Sequence, residues 1–144
     1  MKYQQGEIGR IFVVRFEDGD DVIGGLVELA VKENLRAGSF QLVGGMKRGR
    51  FVVGPEQEEM PPVPVWRELE ESHEILGFGT IFRQGDVPKV HLHGAYGKGD
   101  MVRVGCLRES SEAFLVLEAV IMEITGVSAV REFDPVSGMV LLKL

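Results

Sequence analysis

The chain has 144 residues, 44% of them hydrophobic, which suffices for one buried core and leaves too little for two comfortable domains. Its 22 acidic against 16 basic side chains give a net charge of −6, which opposes long-range attraction to a polyanion. The single cysteine, Cys106, excludes an intramolecular disulfide, and there is neither a signal-like apolar core after Gln5 nor a run of about 20 apolar residues, so a reducing, cytoplasmic setting is expected.

Ile11-Phe12-Val13-Val14 reads as a strand that ends in the turn residues Glu17-Asp18-Gly19-Asp20. A helix is predicted over about 20–34: Asp20 or Asp21 can cap it, Val22, Ile23, Leu26, Leu29 and Ala30 recur at helical spacing, and Asn34 with Gly38 stops it. Residues 39–44 and 49–53 read as strands joined by the turn Gly45-Met46-Lys47-Arg48. The compact basic stretch Lys47-Arg48-Gly49-Arg50 then falls at a solvated turn between strands. Residues 55–64 carry four prolines and three glutamates and form a surface connection within one domain.

From Val65 onward a series of β segments is predicted at 65–70, 73–82, 88–96 and 101–107, with a closing pair, 128–133 and 139–143, around Asp134-Pro135-Val136-Ser137-Gly138. The stretch Ala113 to Ile124 is open between a helix and a long buried strand, because its length suits the first and its Val, Ile and Phe content the second.

All three histidines, His73, His91 and His93, fall within 21 consecutive residues. In a strand, His91 and His93 of the tripeptide His91-Leu92-His93 project from one face, which is half of a metal site. If Tyr96 pairs with Met101 across Gly97-Lys98-Gly99-Asp100, His93 faces Val104 and His91 faces Cys106, so the only thiol stands on the same face. His73 opens the preceding strand and is the further candidate ligand, with Glu71, Glu74 and Asp100 as candidates to orient an imidazole. Three imidazoles, or two and a thiolate, suit zinc best and iron or nickel less well. Against this stands the plainer reading of polar surface histidines and a cysteine packed as a small hydrophobe. No nucleophile elbow, Walker loop, dinucleotide fingerprint or Cys-x-x-Cys pair is present.

The order of segments resembles the PPC domain (DUF296) family, shared by plant AT-hook nuclear proteins and small prokaryotic proteins. The likeness lies in Arg15-Phe16-Glu17-Asp18-Gly19-Asp20-Asp21, Ala37-Gly38-Ser39-Phe40, Gly44-Gly45-Met46, Glu74-Ile75-Leu76-Gly77-Phe78-Gly79-Thr80-Ile81, Val90-His91-Leu92-His93 and the ending from Phe133-Asp134-Pro135 to Leu142. It implies a single α/β (α+β) domain over 1–144: a bent, mostly antiparallel sheet of about seven strands with one major helix, Ala113 to Ile124 as strand, and assembly as a homotrimer. Many prokaryotic members carry Gly-Gly-His-Leu where this chain has Val104-Gly105-Cys106-Leu107, so Cys106 stands in place of a family histidine. That exchange keeps a good zinc ligand.

The expected site is therefore a divalent metal, zinc first, on His73, His91, His93 and Cys106, in a homotrimer that takes a small-molecule ligand and whose activity the sequence does not name. Two other readings stand beside it: a DNA-associated regulator, as the family label has it, and an oligomerisation module in which a metal is purely structural. The AT-hook is centred on Arg-Gly-Arg-Pro, whereas Arg48-Gly49-Arg50 is followed by Phe51, so the hook is absent and nucleic acid is disfavoured.

Overall fold

Val22, Leu26 and Ala30 recur at helical spacing, and they are the residues that α1 (Val22–Lys32) buries. Asp21 occupies the N-cap without capping through its own side chain. Instead the Ile23 N–H donates to Ser111 Oγ at 2.9 Å, and the Ser111 hydroxyl donates to Asp21 Oδ1. The helix stops where Asn34 turns left-handed at φ 50°, and the Leu35 N–H reaches back to the Ala30 carbonyl at 2.9 Å.

The computed structural model describes residues 1–144. Beside α1 it contains eight strands, one more than expected: β1 (Glu7–Glu17), β2 (Ala37–Pro55), β3 (Pro64–Leu69), β4 (His73–Gln84), β5 (Val87–Lys98), β6 (Met101–Thr125), β7 (Val130–Asp134) and β8 (Met139–Lys143). All pairings are antiparallel, and β7–β8 is a separate hairpin beside the six-stranded sheet.

The large sheet curls on itself because β2 and β6 each take part twice. Residues 37–46 of β2 lie between β4 and the second half of β6, while residues 49–55 lie between β3 and the first half of β6. Gly45 to Arg48 is therefore a bend inside one strand where a turn was expected. Register shifts along residues 44–51 bend it, and Gly44, at φ +140°, passes so close to the β6 backbone that a Cβ would lie 2.4 Å from the Val116 carbonyl oxygen. The same pairing settles residues 113–124 as part of β6, the strand that the family resemblance implied.

Inside the curl sit Phe40, Leu42, Phe51, Leu92, Tyr96 and Ile121, all essentially inaccessible, with the Phe51 and Tyr96 rings 4.5 Å apart. Alternation along β4 and β5 sends the other face outward. There Leu76 (66% exposed) meets Val104 (62% exposed) across Ala95 of β5, and Phe78 (59% exposed) adjoins His93, which faces Cys106. No helix is long and apolar enough to cross a membrane.

The basic stretch of β2 is matched with carboxylates. Lys47 Nζ lies 3.0 Å from Asp18 and 3.1 Å from Glu112, Arg48 lies 3.5 Å from Glu112, and Arg50 lies 2.6 Å from Glu109 with its guanidinium stacked 4.3 Å over Trp66. These cations are spent inside the fold, so the basic stretch of β2 offers no free patch for a phosphate backbone.

Candidate metal centre

Residues 89, 91 and 93 share one face of β5, and residues 106 and 108 share the facing strip of β6. The hairpin between them is tighter than expected. Lys98 pairs with Met101, the two-residue turn is Gly99-Asp100, and Gly99 supplies the positive φ of 55° that short hairpins demand. Cys106 consequently stands opposite His93, where His91 had been expected. Because the difference is two residues, a full side-chain period, the thiol keeps its face.

His91 Nε2 and His93 Nε2 are 3.2 Å apart, and together with Cys106 Sγ all three donor atoms lie within 4.8 Å of one another. Ligands about 2.0–2.1 Å from a tetrahedral zinc ion are separated by roughly 3.4 Å, so the two imidazoles already stand at ligand spacing and the thiol needs only a small approach. The donor set fits a zinc-class ion, and three donors leave one position of a tetrahedral shell to something other than the chain.

Electrostatics prepare the group. Burial first, then the charges of Arg131, His93 and Arg108, pull His91 down to about 4, so at neutral pH it is the neutral imidazole a metal requires. Burial pushes the Cys106 thiol up, against the opposing pull of Arg108 and Arg131, so an arriving cation must displace its proton. Burial and the nearby charge of Arg108 in turn lower Arg131. Cys106 is 5% exposed, His91 half-buried and His93 exposed toward a cavity of about 780 Å³.

His73 is not brought to this group. It opens β4 opposite Met46, while the β4 residue facing His91 is Thr80, seven positions on and thus about 23 Å along the strand. Its parity is that of Ile75 and Ile81, which face the core, and its Nδ1 lies 2.7 Å from the Glu71 carbonyl. Glu71 itself pairs with Lys98, Glu74 faces Gly97, and Asp100 lies in the β5–β6 turn, so none of these acids reaches the three donors.

Sequence reasoning missed Arg108 and Arg131. Arg108 was legible by parity, since it stands two residues beyond Cys106. Arg131 was not, because it comes from β7 and its Nη2 donates to Thr80 Oγ1 at 3.2 Å, which pins the closing hairpin beside the site.

The family model of the Plants and Prokaryotes Conserved (PCC) domain matches residues 3–125. The chain belongs to this family. Among solved structures, this PCC domain is similar to a metal-containing protein from Archaeoglobus fulgidus, with 25% identity, full coverage of both chains and a TM-score of 0.87. A plant- and prokaryote-conserved (PPC) protein from Pyrococcus horikoshii is 23% identical, covers 100% of this chain and 98% of its own, and gives a TM-score of 0.86. A provisionally named DNA-binding protein from Ralstonia eutropha is 20% identical over 92% of this chain and 90% of its own, with a TM-score of 0.77, and that likeness shows the fold alone. No curated protein matches the chain.

Proposed function

We propose that this PCC domain is a metal-binding protein that holds one zinc-class ion on His91, His93 and Cys106 and presents it to a small molecule in the adjoining cavity. The observation that carries the reading is the convergence of three donor atoms within 4.8 Å on neighbouring strands at a cavity wall. The metal-containing Archaeoglobus protein, alike over its whole length, supports it. When bound, such an ion supplies Lewis-acid polarisation to an oxygen at its remaining position. The chain's own residues do the rest: the imidazoles bind through Nε2, the buried Cys106 adds a soft ligand, and the β7–β8 hairpin covers one side of the cavity. A reducing cytoplasm, which keeps Cys106 a thiol, is the compartment that suits it.

The protein is further proposed to act as a homotrimer joined through its outer sheet face. The row Val43, Leu76, Ala95 and Val104, exposed except at the half-buried Ala95, runs across four strands and lies beside the row that holds His93 and Cys106. An apolar surface of that continuity favours a protein partner over water. A DNA-associated role finds no support in the basic stretch of β2, since Lys47, Arg48 and Arg50 are all paired. Elemental analysis of untagged protein, with and without the double substitution His91→Ala and His93→Ala, tests the metal reading: about one ion per chain is expected in the wild type and none in the variant.

A further inference from the structure

The cavity beside the three donors carries positive charge that the chain does not balance. Lys89, Arg108 and Arg131 line it, and none of the three takes part in any ion pair of the structure. The one acidic side chain in the lining, Glu109, is held by Arg50 at 2.6 Å. In a protein of net charge −6, three cations without an ion-pair partner around one concave site concentrate positive charge that an anion would neutralise.

Their placement follows from strand parity. Lys89 shares a β5 face with His91 and His93, and Arg108 shares a β6 face with Cys106, so both are aimed where the donors are aimed. Arg131 arrives from β7, its guanidinium placed by the Thr80 hydroxyl at 3.2 Å and by the Phe82 ring at 6.0 Å. The lining also has an apolar part: Trp66 continues the row His93–Cys106–Val52 on the donors' own sheet face, and Pro62, Pro64, Met139 and Val140 join it. A volume of about 780 Å³ falls in the range of roughly 300–1,000 Å³ typical of small-molecule sites, whereas a duplex would need an open, convex-fitting surface.

We propose that the cavity binds a small molecule with an oxyanion group, a carboxylate or phosphate, clamped by Arg108 and Arg131, with its apolar body against Trp66, Pro64 and Val140. The inference rests on the metal reading, because the clamp holds the oxyanion beside the three donors and so brings one of its oxygens to the ion's remaining position. Guanidinium groups are suited to the task, since their planar fork matches both oxyanions. Lys89 at the rim adds long-range attraction.

The test is calorimetric titration of zinc-loaded protein with inorganic phosphate and, separately, with benzoate, at fixed ionic strength. The wild type is compared with Arg108→Met, Arg131→Met and the conservative Arg131→Lys, and zinc content is measured in each. At least one probe should bind at millimolar concentration or below, and each Arg→Met change should weaken it about tenfold with zinc retained, while Arg131→Lys loses less. Tighter phosphate marks a phosphoryl ligand and tighter benzoate a carboxylate with an apolar body; either supports the proposal. Zinc at one per chain with no binding of either probe, or binding indifferent to both arginines, overturns it while leaving the metal reading intact. A wild type that holds no zinc sinks the metal reading instead, and the same titration of the metal-free chain then decides the anion clamp.

Discussion

His93 and Cys106 face one another across the β5–β6 ladder, and His93 Nε2 lies 3.2 Å from the Nε2 of His91 on the same strand face. That relationship makes the three side chains one unit, and their substitutions should be unequal. The two imidazoles supply both nitrogen ligands, so the single change His91→Ala or His93→Ala should lower metal affinity by about tenfold or more, and the double change should abolish retention. Cys106→Ser keeps an oxygen at the third position and should weaken retention less. Chelator competition followed by elemental analysis measures the order, and a Cys106→Ser effect exceeding the double histidine change would contradict it.

His73→Ala should leave metal content unchanged, because β4 carries His73 to the far end of the strand from Thr80, on core-side parity. A loss of metal equal to that of His91→Ala would show that the third histidine belongs to the centre after all.

The core supporting this face is tightly filled. Leu26 of α1 is wholly buried against the sheet, so Leu26→Ala should cost about 2–5 kcal/mol in denaturant unfolding. A change below about 1 kcal/mol would mean that the helix docks more loosely than described.

Glu123 provides the pH dependence. Arg10 donates to it from both its side chain and its backbone, holding the carboxylate at about 2 against an ordinary 4.5. A depressed folded-state value contributes stability that is present above pH 4.5 and is lost as pH falls toward 2. Thermal melts of wild type and Glu123→Gln should therefore differ most at neutral pH and converge in acid. A gap that stays constant down to pH 2 would refute the ion pair as its source.

Phe78 is 59% exposed and adjoins His93, in the middle of the apolar outer face. Phe78→Asp should shift the species seen by light scattering from trimer to monomer, since a charge there cannot be desolvated cheaply. A wild type that is monomeric at micromolar concentration would remove the trimer outright.

Local chemistry made α1 legible, because Val22, Leu26 and Ala30 carry the period and Asn34 the stop. It made the shared face of His91 and His93 legible for the same reason, since parity is a local property. What it missed depends on distant chain. Gly45 read as a turn residue and Gly44 and Gly49 as the ends of two strands, yet all three belong to the bulged stretch of one strand whose partner lies some seventy residues on, as Leu117 does from Gly44. Residues 113–124 hid their alternation because Val120, on the outward face, is as apolar as the buried Leu117 and Ile121. The Cys106 register moved by two because a two-residue turn, with Gly99 left-handed, is favoured over a four-residue loop. The docking of Arg131 has no local signal at all.

The central claim is tested most directly by X-ray absorption at the zinc edge on untagged, zinc-reconstituted protein. About one ion per chain is expected, with two nitrogen scatterers near 2.0–2.1 Å and one sulfur near 2.3 Å, and the sulfur shell should vanish in Cys106→Ser. Protein that retains no metal after reconstitution with zinc, iron or nickel, or a shell of oxygens indifferent to His91, His93 and Cys106, would contradict it.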